Sequence, residues 1–304
     1  MKLGFVSAIL HDLTLEEVLR FAAEEQFDCV ELMSWPVGKA ERKYAGVTHV
    51  DSANLTRSGA AEVLALAKRY GVGISGLGYY PNVLSADTAA ARVAIAHLKK
   101  VIRAARMLDL PVVNTFIGAE PRCNDEENFK GFLKVWPGLI RLATAQGIRI
   151  GIENCPMFFT YDEWPAGKNL AHSPALWRRM FQAIPSKHFG LNYDPSHMVW
   201  QHMDWLRPLK EFASRLHHIH AKDVLILRDR LNDVGTLATP LQYHLPRIPG
   251  FGEIDWGRFI GTLRQVGYDG PVCIEVEDDT FGKSLAGRQQ ALRVARNVLR
   301  PFVG

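Results

Sequence analysis

Residues 216–223 of this 304-residue chain have the sequence Leu-His-His-Ile-His-Ala-Lys-Asp, a short stretch dense in side chains that bind metals or protons. If the stretch forms a β-strand, alternate residues share a face, so His218, His220 and Lys222 point in one direction. Three such groups on one face of a buried strand are costly without partners. We therefore expect neighbouring strands to supply carboxylates.

The rest of the chain alternates strand-like and helix-like segments. Strands are predicted at 2–9, 29–35, 73–80, 112–118, 149–155, 189–194, 216–222 and 271–277. Helices are predicted at 14–26, 57–70, 87–108, 125–146, 174–184, 205–212, 255–266 and 285–303, the first opened by a capping box at Thr14–Glu17. The segment from Val224 to Pro249 is predicted to be a long loop.

This alternation predicts a parallel sheet. Eight strand–helix units in about 300 residues fit a single-domain α/β fold, a (β/α)₈ TIM barrel over residues 1–304. A doubly wound open sheet is the alternative. It would need a glycine-rich turn after the first strand for dinucleotide binding, and residues 7–11 (Ser-Ala-Ile-Leu-His) contain no glycine.

Composition narrows the functional classes. Hydrophobic residues make up 47% and charged residues 22%, as in ordinary globular proteins, and the net charge is only +4. No run of five or six basic residues occurs, so nucleic acid is not the expected partner, and no run of 18 apolar residues occurs, so no membrane span is expected.

The cysteines and the N-terminal residues predict a cytoplasmic protein. The four cysteines are far apart and form no Cys-x-x-Cys motif, which is typical of reduced thiols in the core (Cys29, Cys123, Cys155 and Cys273). The apolar run at the N-terminus stops at His11-Asp12, and no small-residue cleavage site follows. We therefore expect the run to be the first strand rather than a signal peptide.

The last four predicted strands each end in an ionisable residue: Glu153, Asp194, His220 and Glu275. In a TIM barrel, sites are built at the C-terminal ends of the strands, so these four side chains are expected at one rim. Three carboxylates and one imidazole favour a divalent cation such as manganese, cobalt, magnesium or zinc. A closed structural zinc site would more often use thiolates, and open coordination positions would be left for substrate oxygens.

Three further residues near these strand ends are candidates for binding substrate. His197 follows Asp194 by three residues, Lys222 shares a face with His220, and Glu277 shares a face with Glu275. A structural alternative for Lys222 is a salt bridge with Asp223 or Glu277. Structural roles are also expected for His218, as a core histidine, and for Asp255, as a helix cap.

Aromatic residues also lie at or beyond the predicted strand ends: Trp35, Tyr79, Tyr80, Phe116 and Trp200. Each one alone more often serves packing than ligand binding. Several around one pocket would suit the apolar face of a sugar.

Taken in order, several short motifs resemble the xylose isomerase-like barrel superfamily, in particular its sugar phosphate isomerase/epimerase group, which includes ketose 3-epimerases and catalytic subunits of C-glycoside deglycosidases. The motifs are 151–154 (Gly-Ile-Glu-Asn), 192–197 (Asn-Tyr-Asp-Pro-Ser-His), 218–223 (His-Ile-His-Ala-Lys-Asp), 249–256 (Pro-Gly-Phe-Gly-Glu-Ile-Asp-Trp) and 267–275 (Gly-Tyr-Asp-Gly-Pro-Val-Cys-Ile-Glu). The resemblance implies that Glu153, Asp194, His220 and Glu275 bind one divalent metal, manganese being expected first, and that His197 contacts substrate.

The resemblance also implies a set of reactions. The expected one is sugar isomerisation or epimerisation by proton removal next to a carbonyl, through an enediolate, with Glu153 and Glu275 as the proton-transferring groups. The alternative is a lyase that eliminates the aglycone from a 3-keto glycoside, and a third option is a sugar-binding subunit without catalysis. The apurinic endonuclease branch fits poorly, because its three-metal cluster needs more His and Asp ligands, and predicted strands two to four end without them.

The expected partners follow from the same resemblance. The substrate is expected to be a small sugar or glycoside, unphosphorylated because no glycine-rich phosphate cradle stands out. A homo-oligomer is expected, and a small second subunit is left open. The segment 224–249 is longer than the corresponding loop of simple epimerases, which indicates a larger substrate or a subunit contact.

Overall fold

The computed structural model describes residues 1–38, 46–158 and 160–304, and it confirms the predicted barrel. The strands of the described residues are β1 (Lys2–Val6), β2 (Cys29–Met33), β3 (Gly73–Gly78), β4 (Val112–Thr115), β5 (Arg149–Glu153), β6 (Phe189–Tyr193), β7 (Leu216–Ala221), β8 (Asp223–Ile226), β9 (His244–Arg247) and β10 (Pro271–Ile274). All except β8 and β9 form one closed parallel barrel in the order β1-β10-β7-β6-β5-β4-β3-β2.

Helices cover the outside of the barrel. They are α1 (Leu15–Glu24), α2 (Arg57–Tyr70), α3 (Thr88–Met107), α4 (Asp125–Gln146), α5 (Pro174–Ala183), α6 (Ser196–Val199), α7 (Arg207–Glu211), α8 (Arg228–Val234), α9 (Trp256–Gln265) and α10 (Leu285–Val303). The predicted capping box is present, since Thr14 and Glu17 bond reciprocally at the start of α1. Among the described residues, no helix is long and apolar enough to span a membrane.

Both faces of the central strands are buried, which explains their near-continuous apolar sequences. Every residue of β2, β6 and β7 is buried. On the outer face, Phe189 of β6 stacks on Phe132 and Trp136 of α4, with ring centroids 6.1 Å away in each case. Burying an aromatic side chain of this size contributes about 2–3 kcal/mol, so the layer between strands and helices stabilises the barrel. The buried polar side chains of the site lie among a second, smaller apolar cluster that includes Val6, Met33 and Phe116.

The predicted element boundaries differ from the observed ones at several strand and helix ends. Two of these differences affect the barrel mouth. The first strand ends at Val6 rather than at residue 9, because Ser7–Leu10 turns into a 3₁₀ helix at the barrel mouth. The segment 224–249 is not a plain loop: β8 and β9 form an antiparallel hairpin with α8 between them. These strands have four residues each and Pro246 lies in β9, so they lack the alternating apolar pattern that indicates a strand.

Asp223 fastens this hairpin to the barrel. Its Oδ1 accepts hydrogen bonds from the backbone N–H groups of Val224 (2.9 Å) and Ile254 (3.1 Å). Its Oδ2 accepts from the backbone N–H of Gly250 (3.0 Å) and from Trp256 Nε1 (3.0 Å). All four partners are donors, so both oxygens must accept, which a carboxylate does and an amide does not.

Replacing Asp223 by Asn is expected to lower the free energy of unfolding by about 3 kcal/mol, because its NH₂ group would face two buried N–H donors. Thermal or urea unfolding measures this loss. Asp255→Asn is the matched control: Asp255 is exposed, caps α9 by accepting from Arg258 N (2.9 Å), and Asn caps helices equally well. Equal stability of the two variants would contradict the account of Asp223.

His217 is a titratable residue on the outer face of β7, and its surroundings lower its pKa. It is buried, and its Nδ1–H donates to the Ile150 carbonyl (3.1 Å). A Cβ at Gly190 would lie 2.6 Å from the ring carbon Cε1, so the imidazole fills the space that this glycine leaves. Burial, aided by the charge of Arg149, lowers the pKa of His217 to about 4.

This lowered pKa makes stability depend on pH. The neutral ring is favoured in the folded state, so the stabilisation is complete above the ordinary pKa of 6.5 and is lost as the pH falls towards about 4. The expected loss is roughly 3 kcal/mol over that interval. His217→Gln is expected to flatten the dependence of the free energy of unfolding on pH between these values. An unchanged slope in the variant would show that His217 does not contribute to acid sensitivity.

Candidate metal centre

His220 lies at the centre of the rim formed by the C-terminal ends of β5, β6, β7 and β10. Its Nδ1 atom is 3.6 Å from Glu153 Oε2 and 3.6 Å from Glu275 Oε2. Glu153 and His220 are buried, whereas the side chain of Glu275 keeps 19% of its surface accessible. The candidate ligand atoms of these three residues all lie within 4.8 Å of one another, so three of the four predicted ligands converge.

Asp194, the fourth predicted ligand, borders the same centre. Its Oδ2 lies 3.3 Å from Lys222 Nζ and 3.3 Å from His197 Nε2. Its Oδ1 accepts from the backbone N–H of Ser196 (2.8 Å), which turns Oδ2 towards the centre. Within the described residues, Asp194 is not part of the mutual 4.8 Å group and meets it through Lys222 and His197.

Three buried polar atoms facing this centre lack a hydrogen-bond partner among the described residues. They are Asp194 Oδ2, His197 Nε2 and His220 Nδ1. Leaving such groups unsatisfied costs about 1–3 kcal/mol each, so their clustering indicates a missing ligand. Carboxylate oxygens and one imidazole nitrogen are the donor set that a hard or borderline divalent cation prefers, and the residues present therefore fit one.

The two glutamates have opposite protonation preferences. Burial, together with the charge of Glu275, raises the pKa of Glu153 to about 8. Burial also opposes ionisation of Glu275, but the positive charges of Lys222 and His220 outweigh it and hold the pKa of Glu275 below its ordinary value. For Asp194, burial exceeds the attraction of Lys222 and raises the pKa to about 6. Carboxylates whose pKa values are pushed apart suit complementary proton-transfer roles.

Lys222 carries the positive charge at this rim. Its Nζ donates to Glu275 Oε2 (2.7 Å) and to Glu277 Oε2 (2.9 Å), and the residue is only 3% exposed. Two of the three predicted substrate-binding residues, Lys222 and Glu277, thus lie at the centre. Of the two structural alternatives for Lys222, the pair with Glu277 is present, and the pair with Asp223 is replaced by the hydrogen bonds of Asp223 to the hairpin.

Glu31 of β2 is a site residue that the strand-end pattern does not identify. It is fully buried, and its Oε2 lies 2.9 Å from His220 Nε2 and accepts from Asn114 Nδ2 (3.0 Å). Tyr80 OH donates to its Oε1 (2.5 Å). When Nδ1 is deprotonated, as it must be to bind an ion, Nε2–H donates to this carboxylate and the lone pair of His220 Nδ1 is directed at the centre.

A sequence signal for Glu31 does exist. It is the one charged residue within the apolar segment Cys29–Met33, and a charge buried in a strand requires a partner. Burial opposes its ionisation, but the positive charge of His220 and the hydrogen bonds from His220 and Tyr80 hold the pKa of Glu31 below its ordinary value. Glu31 therefore acts on the centre as an anion through His220.

His218 is the core histidine that the sequence predicts. Its Nδ1–H donates to Asn192 Oδ1 (3.0 Å), and its Nε2 accepts from Ser75 Oγ (3.1 Å). Burial lowers its pKa to about 4, so the ring is neutral. His218 supports the strand below the centre rather than lining the cavity.

A cavity of about 430 Å³ opens onto the candidate centre. Its charged and polar lining includes Glu153, His197, Lys222, Glu275 and Glu277. Apolar and aromatic side chains also line it, among others Met33, Trp35, Phe116, Phe158, Trp200 and Pro246. The volume lies within the range of roughly 300–1,000 Å³ that is usual for small-molecule sites.

Replacing Glu31 by Gln is expected to weaken binding of Mn²⁺ roughly 10–100-fold, because His220 Nε2–H loses its charged acceptor. Calorimetric titration with Mn²⁺ measures the change. Tyr80→Phe, which removes one of the hydrogen bonds to Glu31, is expected to have a smaller effect. Glu253→Gln is the control, since Glu253 pairs with Arg228 away from the centre. Unchanged affinity in the Glu31 variant would remove Glu31 from the metal centre.

In sequence, the chain is 25% identical over 311 aligned residues to the uncharacterized protein YfiH of Bacillus subtilis (strain 168), covering 92% of this chain and 94% of that protein. It is 28% identical over 103 residues to the inosose dehydratase of Geobacillus thermodenitrificans (strain NG80-2), covering 33% of this chain and 35% of that enzyme.

In structure, the chain resembles D-psicose 3-epimerase crystallised in the presence of D-fructose, with a TM-score of 0.71, 16% identity and full coverage of both chains. It also resembles the IolI protein with a bound zinc atom, with a TM-score of 0.69, 18% identity and 99% coverage of each chain. At these identities the structural likeness shows the fold. The model of the xylose isomerase-like TIM barrel matches residues 19–301, and this chain therefore belongs to the xylose isomerase-like TIM barrel family.

Proposed function

We propose that the chain is a divalent-metal-dependent sugar isomerase or epimerase that transfers a proton next to a carbonyl, through an enediolate of the substrate. The observation that carries the proposal is the convergence of Glu153, His220 and Glu275 at the barrel rim, around a buried His220 nitrogen that has no hydrogen-bond partner within the described part of the chain. The family and the epimerase fold likeness support the reaction class.

Glu153, Asp194, His220 and Glu275 would hold one divalent ion. When bound, the ion supplies Lewis-acid polarisation of a substrate carbonyl. Manganese is the ion we expect first, since three carboxylates and one imidazole suit it, with magnesium, cobalt and zinc as alternatives. The zinc in the structure of the IolI protein supports a metal centre on this fold without deciding its identity.

Glu153 and Glu275 are the proposed proton-transferring groups. They approach the centre from β5 and from the residue after β10, which lie on different sides of β7 in the barrel. One carboxylate takes a proton from the carbon next to the carbonyl and the other returns one to the opposite face, which inverts the carbon. General acid–base assistance of this kind contributes about 10²–10⁴-fold.

Lys222 and His197 are the proposed contacts to substrate oxygens. The Lys222 ammonium is held between Glu275 and Glu277, so it remains charged and oriented beside the reacting atoms. A fixed positive charge there stabilises negative charge that develops on a substrate oxygen. Glu277 contributes by orienting Lys222.

A lyase acting on a 3-keto glycoside is the second candidate, and the apolar side chains that line the cavity favour it. Phe158, Trp200 and Pro246 form a wall that a small ketose would leave largely uncovered, whereas an aglycone would cover it. The same enediolate would then expel a leaving group β to the carbonyl. The inosose dehydratase, a relative by sequence, is named for an elimination of water.

One screen separates these functions. The metal-analysed protein is incubated in D₂O with free ketoses and with 3-keto glycosides, and proton NMR is recorded. An inverted or shifted carbonyl centre with deuterium at the reacting carbon supports the isomerase or epimerase. A released aglycone with an unsaturated sugar supports the lyase, and ligand binding without turnover would support a sugar-binding subunit. Oligomeric state and a second subunit stay predictions.

Glu275→Gln is expected to keep the fold and to reduce exchange of solvent deuterium into substrate by at least about 100-fold, because it removes a proton-transferring carboxylate. Exchange is measured by proton NMR at saturating Mn²⁺, with bound metal quantified. Glu277→Gln is the matched comparison, one strand position further out, and is expected to lose much less. Undiminished exchange in the Glu275 variant would remove that residue from the mechanism.

A further inference from the structure

His197 and Trp200 form a directional hydrogen bond on the cavity wall. Trp200 Nε1 donates to His197 Nδ1 at a distance of 3.2 Å. An indole N–H can only donate, so Nδ1 of His197 must be the accepting nitrogen. An imidazole that accepts at Nδ1 is neutral and carries its proton on Nε2.

The protonated nitrogen faces the candidate metal centre. His197 Nε2 lies 3.3 Å from Asp194 Oδ2 and 3.5 Å from Glu153 Oε1. It is buried and has no hydrogen-bond partner among the residues that the structure describes. The ring therefore presents an N–H donor, without a partner of its own, beside the position where a substrate oxygen would lie.

Trp200 is itself held in place by the hairpin. Its ring stacks on that of His244, the first residue of β9, with centroids 5.0 Å apart and planes inclined by 10°. The Nδ1–H of His244 donates to the Pro240 carbonyl (2.6 Å), which fixes the orientation of that ring. The Phe158 ring packs edge-on against the Trp200 ring, with centroids 6.1 Å apart. The indole is buried, so its N–H direction is determined by packing.

We propose that Trp200 is a positioning residue that locks His197 in the neutral, Nε2-protonated tautomer, so that His197 donates a hydrogen bond to a hydroxyl or carbonyl oxygen of the substrate. The role of this donor rests on the proposed function, whereas the tautomer is a property of the protein alone. A ring in this state is not a proton acceptor at Nε2, which leaves proton transfer to the carboxylates.

The lock has a second effect, on coordination. Neutral imidazole is the commonest metal ligand in proteins, and a lone pair on His197 Nε2 would compete for an ion held beside Asp194 and Glu153. With Nε2 protonated, the ring cannot bind the ion. By fixing this tautomer, Trp200 leaves His197 free to bind substrate and leaves metal coordination to His220 and the carboxylates.

Long-range proton–nitrogen NMR correlation on the full chain with ¹⁵N-labelled histidine tests the lock, without added metal and with Zn²⁺. The His197 signals are assigned by their absence in His197→Gln. The expected wild-type pattern is that of a neutral ring protonated on Nε2, unchanged by Zn²⁺. In Trp200→Phe, which keeps the aromatic ring but lacks the donor, the pattern is expected to shift to the other tautomer or to a mixture.

Trp164→Phe is the matched control, since Trp164 Nε1 donates to the Leu237 carbonyl (3.2 Å) rather than to a histidine, and its removal is expected to leave His197 unchanged. An Nδ1-protonated or doubly protonated His197 in the wild type would overturn the proposal, and so would an unchanged pattern in Trp200→Phe.

A measurement on the wild type covers the case in which Trp200→Phe does not fold. With tryptophan also labelled, a scalar coupling between Trp200 Nε1 and His197 Nδ1 across the hydrogen bond is expected, and its absence would overturn the proposal. This experiment needs no substrate. If no sugar in the activity screen reacts, the result counts against the proposed function but not against the fixing of the His197 tautomer by Trp200. If the scalar coupling is absent, the result counts only against the fixing of the tautomer.

Discussion

The attraction between buried carboxylates and the few positive groups among them governs the rim of this barrel. Glu31, Glu153, Asp194 and Glu275 surround His220 and Lys222, and all except Glu275 are shielded from water. Burial alone would drive protons onto every one of these acids. Instead, their cationic neighbours lower the pKa values of Glu275 and Glu31, whereas the pKa values of Glu153 and Asp194 are raised. Because the two cationic side chains do not compensate all four carboxylates, the arrangement favours binding of a divalent ion.

Apolar packing elsewhere in the barrel offsets the free-energy cost of burying these charged groups. The outer faces of the strands pack against helices through apolar and aromatic side chains, so the polar inner face at one end is supported by burial elsewhere. Hydrogen bonds donated by Asn114 and Tyr80 to Glu31, and by His218 to Asn192, extend the polar network into the interior. The same scaffold carries an added hairpin, pinned by Asp223, that contributes one wall of the cavity.

Much of this was predictable from sequence because the relevant signals are local. Alternating segments predict the barrel, and a residue's place at the end of a parallel strand predicts that it faces the rim, which holds for Glu153, Asp194, His220 and Glu275. Glu31 depends on barrel closure, which brings β2 within reach of β7 across the interior, and no local pattern encodes that meeting. The hairpin was missed because its strands are short and contain Pro246.

The contact of Trp200 with His197 is only partly predictable from the sequence. The two residues are three apart, which puts them on one face of a helix, but α6 is a single short turn that the sequence pattern did not indicate. The residues that line the cavity also come from distant parts of the chain. Their adjacency is a property of the closed barrel rather than of any motif.

Barrel closure has a consequence for biosynthesis. The ring is completed by pairing of β1 with β10, the first and the last barrel strand in chain order, so these two must meet before the barrel is continuous. Glu275 directly follows β10 and hydrogen-bonds back to Ala221 through its backbone N–H (3.1 Å). The candidate metal centre is therefore complete only once β10 is in place, and a nascent chain halted before β10 carries the other acids without the geometry that brings them together.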